Sequence, residues 1–400
     1  MKRRYQAELK EIFVYDLKAV IIGAGIGGLT TGIALRQMGY EVEIYDRVQQ
    51  LRPAGAGISL WSNGVKVMNR LGLGRELAAI GGEMNTMEYR TTADELITHI
   101  DLRPLFERVG QRPYPVSRTD LQQVLLEAYG EEEVQLGMKC VAVEQDEHQA
   151  TAIFENGHRA SGDLVVGADG IHSVARTHVV GHPVERRYAN YVNWNGLVPA
   201  SPDLCPADMW ILYVGEAKRA SMMPVGDGRF YFFFGVPMEA GTSVEPAYRR
   251  DELSKHFAGW PQPVHNLIET LDPYETNRLE IGDIDPLPRL ARGRVVLLGD
   301  SGHATTPTLG QGGCQAMEDA EVLTRYLVTT NISVPDALQR YEAARKERVK
   351  SLVLKARKRT DTIYGADPTE TERWYQEMQE ESPEDVLSAL EKVILGGPLG

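Results

Sequence analysis

Lys18-Ala19-Val20-Ile21-Ile22-Gly23-Ala24-Gly25-Ile26-Gly27-Gly28 sets the fold class of the whole chain. Apolar residues suited to a buried strand run directly into the spacing Gly23-x-Gly25-x-x-Gly28, and Leu29 to Met38 continues as a helix. Glu41 to Asp46 reads as a second strand, which makes the segment one βαβ unit of a parallel sheet. The glycines are needed for a tight turn, for close approach of a pyrophosphate to the backbone, and for close packing of helix on strand. Amides at the helix start, backed by the helix dipole, would hold a diphosphate. Asp46 ends the second strand, where a carboxylate can accept hydrogen bonds from an adenosine ribose. Gly23, Gly25, Gly27, Gly28 and Asp46 are thus expected to bind a dinucleotide, and the unit alone does not separate NAD from FAD.

The chain around this unit has 400 residues, room for two or three domains of ~150 residues each. Its 43 basic and 56 acidic residues give a net charge of -13, which disfavours nucleic acid as a partner because phosphate neutralisation needs a cationic face. An anionic substrate would have to be drawn in by local cations. Cys140, Cys205 and Cys314 form no C-x-x-C pair and lie near no histidine cluster, so no metal site and a reducing compartment are expected. The longest apolar stretch, Ala19 to Leu29, is about half the ~20 residues a membrane-spanning helix needs. Glu8, Glu11 and Asp16 interrupt any signal-peptide core, and the expectation is a cytoplasmic protein with no membrane partner. Residues 1–17 fall outside the βαβ unit and are expected to be a poorly ordered extension, or the product of a start codon assigned too early.

Further along, helices are expected at Ser62 to Leu73 and, capped by Ser117, at Arg118 to Tyr129. Gln135 to Ala168 alternates around Asn156-Gly157 as a β-hairpin, feeding a buried strand from Asp163 to Gly167. Composition changes over Tyr188 to Phe234, where aromatic and β-branched runs broken by Gly and Pro indicate an antiparallel sheet. Arg294 to Asp300 returns as a buried strand, followed by a Gly-rich turn, a helix from Gln315 to Val328 and a long helix from about Pro335 to Asp361. Nine Lys or Arg between Arg340 and Arg359 read as a solvated face in preference to a basic docking face. The fold class is α/β with an α+β substrate domain. A discontinuous Rossmann-like domain (18–184 and 287–335, with a small β-ribbon) carries an inserted, mostly antiparallel β-sheet domain (185–286), and 336–400 is a C-terminal helical region.

Two later motifs bear on the cofactor. One is Gly167-Ala168-Asp169-Gly170-Ile171-His172-Ser173-Val174-Ala175-Arg176; the other runs from Gly299-Asp300 to Pro307, with Gly310-Gln311-Gly312-Gly313 after it. Asp300, at a strand end, can accept a hydrogen bond from a ribityl hydroxyl. The helix opened by the Gly310 to Gly313 turn offers amides and a positive dipole end to the anionic pyrimidine edge of a reduced flavin. Together with the first motif, and in this order, these stretches resemble the signatures of the single-component FAD-dependent aromatic hydroxylases of the para-hydroxybenzoate hydroxylase type. The resemblance implies tightly bound FAD, and NADH, or alternatively NADPH, as a transient reductant with no motif of its own. It also implies oxygen addition to a flavin C4a-hydroperoxide that hydroxylates an electron-rich ring, in a monomer or homodimer. Carried over by residue, it implies cofactor contacts from Arg47, Ser59, Asp169 and Gln311, from Arg118 to the phosphate and ribityl region, and from the Cys140 backbone to the adenine. Cys314 is expected to touch the flavin through its backbone, since no second cysteine is near enough to form a redox pair. Asp46 stands where many relatives have Glu, and Ser301-Gly302 where Ala-Ala is common.

Arg219, Asn193 and the run Tyr231-Phe232-Phe233 supply guanidinium, amide, phenol and ring faces, a set that suits a planar, polar, anionic heterocycle. Tyr191 to Leu197, Lys218-Arg219, Arg229 to Phe234 and the terminal Gly397 to Gly400 resemble the urate-hydroxylating members of the family. That likeness implies conversion of urate to 5-hydroxyisourate in purine degradation. In it Asn193, Arg219, Tyr231, Phe232 and Phe233 hold urate. Arg219 activates its anion, and Tyr231 hydrogen-bonds the ring or relays a proton. Three readings compete: a hydroxylase of a phenolic carboxylate such as salicylate or hydroxybenzoate, an NAD-dependent dehydrogenase using only the first βαβ unit, and a non-enzymatic flavin sensor.

Overall fold

The computed structural model describes residues 17–51, 56–329 and 332–398. All of the expected extension but Leu17, and the last two residues of the terminal motif, lie outside them. Leu17 packs against the core.

Lys18–Ile22 is a central strand of a six-stranded sheet ordered Ala291–Arg292, Val295–Leu297, Leu164–Gly167, Lys18–Ile22, Glu41–Tyr45, Val134–Gln135. Every pairing is parallel except that of the first two strands. A parallel sheet is covered on both faces, which is why its strands are continuous apolar runs: Ala19, Val20 and Ile21 are wholly buried. The helix Ile26–Gln37 lies on it and packs in turn against the helix Gly312–Leu327. Ser117 caps the helix Arg118–Tyr129, its hydroxyl accepting from the Asp120 amide, as expected. At Asn156-Gly157 a turn joins Ala150–Phe154 to Arg159–Gly162, and Cys140–Gln145 adds a third strand to that ribbon.

A second sheet has seven strands in the order Asn277–Ile284, Arg186–Pro199, Arg229–Pro237, Lys218–Val225, Met209–Gly215, Thr86–Arg90, Leu96–Asp101. It corrects the boundary 185–286. The hairpin of Thr86–Arg90 and Leu96–Asp101, assigned above to the first domain, completes this sheet by parallel pairing with Met209–Gly215. Local alternation marks a strand but carries no information about which distant edge it joins, and this edge lies more than a hundred residues downstream.

The two faces of this sheet differ. Val192, Trp194, Ala220, Met222, Phe230, Phe232 and Phe234 point to one side, where Leu253, Phe257, Val264, Leu267 and Ile268 from two helical segments close an apolar core. Asn193, Asn195, Arg219, Ser221, Tyr231 and Phe233 alternate with them and point to the other side, towards the parallel-sheet domain.

The C-terminal region is three helices, Val334–Ile363, Pro368–Glu380 and Pro383–Leu395, capped by Ser333, Asp367 and Ser382. Far from hanging free, it joins both halves. Ala337, Leu338, Tyr341, Leu387 and Ile394 enter the main core, while Ile363, Tyr364, Trp374 and Met378 pack with Tyr191 and Val214 of the seven-stranded sheet. The basic run also departs from a solvated face, because Arg345, Arg348 and Arg357 turn inward to ion pairs with Glu318, Asp319 and Asp283. Among the described residues no helix is long and apolar enough to cross a membrane.

Candidate active site

At the first glycine turn, Gly23 has φ +107°, a conformation L side chains rarely adopt, and a Cβ at Gly28 would overlap the Gly23 carbonyl oxygen. A Cβ at Gly25 would meet nothing within 4 Å, so the turn is open on the side a diphosphate would approach. The helix it starts has neither a side-chain cap nor an acid in its first turn, leaving its amides available. Asp46 accepts from the Ala24 amide at 2.7 Å and from the Val48 amide at 3.0 Å, one bond per oxygen, which leaves lone pairs for a ribose. Arg47 is exposed beside it.

Asp169 is engaged within its own motif. Its Oδ1 accepts from Ser173 Oγ at 2.5 Å and its Oδ2 from the amides of Val174 (2.7 Å) and Ala175 (3.3 Å), so its carboxylate holds the start of the helix Val174–Val180. Burial raises its pKa while these bonds lower it. Arg176, unassigned from sequence, links the second motif to the third. Its guanidinium donates to the carbonyls of Ile171 (2.8 Å), Gly170 (3.1 Å), Ser301 (2.8 Å) and Asp300 (3.2 Å).

In the third motif Asp300 is exposed three residues after a buried strand, with its carboxylate free for a ligand hydroxyl. Gly310 has φ +61°, and a Cβ there would lie 2.6 Å from Ser59 Oγ, so the fold brings Ser59 to the flavin loop. The helix Gly312–Leu327 also begins with no side-chain cap and no acid, and a Cβ at Gly312 would find nothing nearer than 3.9 Å. Two open helix starts and an exposed Asp300 between them fit a diphosphate at one end and a flavin at the other. Arg118 opens its helix with its amide donating to the Ala56 carbonyl at 3.1 Å. The thiols of Cys140 and Cys314 are pushed up by burial to about 11 and about 12, so neither is a thiolate, in keeping with a backbone role. Gln311 is tied into the fold through its Oε1, which accepts from Asn63 at 3.0 Å and from Gln315 at 3.1 Å.

Behind that loop lies a buried charged cluster. Asp319 accepts from the Gly299 amide (2.8 Å), His303 Nε2 (2.6 Å) and Arg345 Nε (2.7 Å), while Glu318 accepts from Arg345, Arg348 and Asn63. Burial alone would raise the Asp319 carboxyl, but the His303 and Arg345 charges overcome it and bring it down to about 2. Glu318-Asp319 stands out in sequence as an acidic doublet within an otherwise apolar helix stripe. Its partners, from 16 to 255 residues away, do not.

On the sheet, register aligns Asn193, Gly235 and Arg219 across three strands, and Asn195, Phe233 and Ser221 in the next row on the same face. Arg219 is 6% exposed, its Nε has no hydrogen-bond partner, and its guanidinium lies 5.5 Å from the Phe233 ring centre. Asn277 donates to Asn195 at 3.2 Å and Asn195 to Asn193 Oδ1 at 2.7 Å, a chain that leaves the Asn193 amide as a donor. Tyr231 packs on Gly57 of the first domain, where a Cβ would overlap its ring. Burial raises its pKa well above the usual value, helped by Tyr364 and opposed by Arg118, so its phenol is protonated. Phe232 is corrected: its side chain alternates to the opposite face and is buried in the other core. The sequence also missed Tyr364, Tyr191, Asn195 and Ser221, of which only the two on alternate positions beside Asn193 and Arg219 carried a local signal.

A family model described as an FAD binding domain matches residues 16–356. The FAD-dependent urate hydroxylase of Klebsiella pneumoniae subsp. pneumoniae is 50% identical over 385 residues, covering 96% of this chain and 100% of that protein. The protein of the same name from Mycolicibacterium vanbaalenii is 48% identical over 387 residues, covering 96% and 98%. The crystal structure of Klebsiella pneumoniae HpxO complexed with FAD and uric acid matches with a TM-score of 0.94 at 49% identity, covering 97% of this chain and 99% of that one. With these glycine turns, an exposed Asp300 and two open helix starts, the chain belongs to the FAD-binding-domain family, within the group of FAD-dependent hydroxylases that these relatives represent.

Proposed function

We propose that the protein hydroxylates urate to 5-hydroxyisourate in purine degradation, consuming NADH, a proton and dioxygen and releasing NAD and water. The observation that carries this reading is the row Asn193, Gly235, Arg219: buried donors, one guanidinium nitrogen without an acceptor, facing the flavin-binding domain. Leaving a buried charged donor unpaired is costly, and this one lies beside Asn193 on the face turned to the other domain, where an anionic ligand can supply the acceptor. The relatives named above act on or bind urate, which is planar, weakly acidic and edged with carbonyls and N–H groups.

Bound FAD supplies electron transfer and oxygen activation; the amides at Gly25 and Gly312 and the carboxylates of Asp46 and Asp300 would hold it, aided by Arg47, Ser59, Arg118 and the backbones of Cys140, Gln311 and Cys314. The substrate's placement falls to the sheet. Arg219 stabilises the urate anion, which is more electron-rich at the carbon to be hydroxylated, and fixes its orientation through a planar fork. Asn193 donates to a ring carbonyl and Phe233 walls the ring. Tyr231, with its raised pKa, acts as a hydrogen-bond donor and not as a base.

The test is NADH oxidation by FAD-loaded protein with urate, xanthine or salicylate, following urate loss and product absorbance together. Urate should stimulate strongly. Arg219→Gln should retain a reducible flavin but divert turnover to hydrogen peroxide. Failure of urate to stimulate oxidation rejects this reading, and a response to salicylate instead would favour a phenolic carboxylate.

A further inference from the structure

Gly235 sits between Asn193 and Arg219 and has no side chain, yet the space above it is filled: a Cβ there would overlap the hydroxyl oxygen of Tyr364. Tyr364 is the C-cap of the long helix, its amide donating to the Thr360 carbonyl at 3.0 Å, and its ring stacks on Tyr191 at 3.8 Å between centres and 14° between planes. Both neighbours of this helix end are fixed. One turn earlier, Thr360 Oγ1 donates to Thr306 Oγ1 at 2.7 Å, in the motif that carries Asp300. One residue later, Gly365 abuts Ala217, in the turn that leads into Arg219. The end of the helix therefore spans from the flavin motif to the substrate strand.

We propose that Tyr364 is a substrate-contact residue, its hydroxyl completing with Asn193 and Arg219 the polar end wall of the pocket and donating to an anionic edge of the ring. The inference rests on the substrate reading above and deepens it. The placement carries the role: the Tyr364 hydroxyl sits over Gly235, in the row between Asn193 and Arg219 on the face turned to the flavin-binding domain, where its O–H can reach a ligand held by those two side chains. Burial raises the Tyr364 pKa, with Arg219 and Tyr191 opposing, to about 12, so the group keeps its proton at neutral pH. A Tyr in this place also explains a glycine in mid-strand, where a side chain would ordinarily pack better.

Tyr364→Phe keeps the stack and removes the hydroxyl. In FAD-loaded protein it should leave flavin content, flavin spectrum and melting temperature as in the wild type. The KM for urate should rise roughly 3- to 10-fold, the scale of one lost hydrogen bond, with a larger share of NADH oxidation ending as hydrogen peroxide. Tyr191→Phe, on the fully packed partner of the stack, should give the smaller change of the two. Gly235→Ala, which displaces the Tyr364 hydroxyl, should reproduce the Tyr364→Phe kinetics. A Tyr364→Phe enzyme whose urate KM and coupling stay within about twofold of wild type overturns the proposal, as does one that only melts earlier while its FAD-bound fraction behaves normally. Absence of a urate response in the wild type would sink the substrate reading itself, and is seen before any variant is made.

Discussion

Two buried arginines show how differently this fold treats the same group. Arg345, wholly buried behind the flavin loop, donates to Asp319, Glu318 and Gln315 from all three nitrogens. Arg219, almost as buried on the sheet, has no carboxylate partner among the described residues and an Nε with no acceptor. A saturated guanidinium locks structure, since every bond it can make is made inside the protein. An unsaturated one keeps a donor that a ligand can engage, the role proposed for Arg219. The first fixes Gly299 and the helix start at Gly312 from behind; the second waits in front of them.

Substitution at each arginine should separate stability from coupling. Arg345→Met should cost the most, about 3–5 kcal/mol of stability, because it strands two buried carboxylates; thermal melts of the FAD-loaded protein check it. Arg219→Gln should barely move the melting temperature yet lower the urate consumed per NADH by on the order of tenfold or more, as expected for loss of a charged hydrogen bond. If Arg219→Gln melts as early as Arg345→Met, the distinction fails. Acid probes the saturated site further. Asp319 has a folded pKa of about 2, below the 3.8 of an ordinary aspartate, so it binds fewer protons folded than unfolded. Its contribution to stability is present above pH ~4 and is lost as pH falls towards ~2. Melts between pH 6 and 3 should therefore show acid destabilisation that Asp319→Asn, already less stable at pH 6, shows to a lesser degree. The smallest effect concerns neighbouring rings. Phe232→Leu should lower stability by roughly 1 kcal/mol with coupling unchanged, whereas Phe233→Leu should change coupling and affect stability less, because alternate residues face opposite cores.

Much of the cofactor half was legible because its signals are local. Gly23, Gly25 and Gly28 announce a turn through their own backbone needs, and Asp300 follows its strand by a single short step. Asp169 and Gln311 show a limit of such motifs: a motif names a position, but what its side chain bonds to depends on what packs beside it. Alternation along Tyr231-Phe232-Phe233 puts the middle ring, Phe232, opposite the other two, and only the packing decides that its face is the helix-covered core.

Spacing and alternation, which act over a few residues, were enough for the βαβ nucleotide unit, the order of the three motifs and an aromatic sheet inserted between them. Three features emerge only once the chain is folded. The hairpin 86–101 completes the substrate sheet, the basic C-terminal helix buries Arg345, and Tyr364 fills the gap over Gly235. Each of these depends on which distant surfaces meet, and neither periodicity nor propensity within one segment specifies the partner whose burial stabilises it.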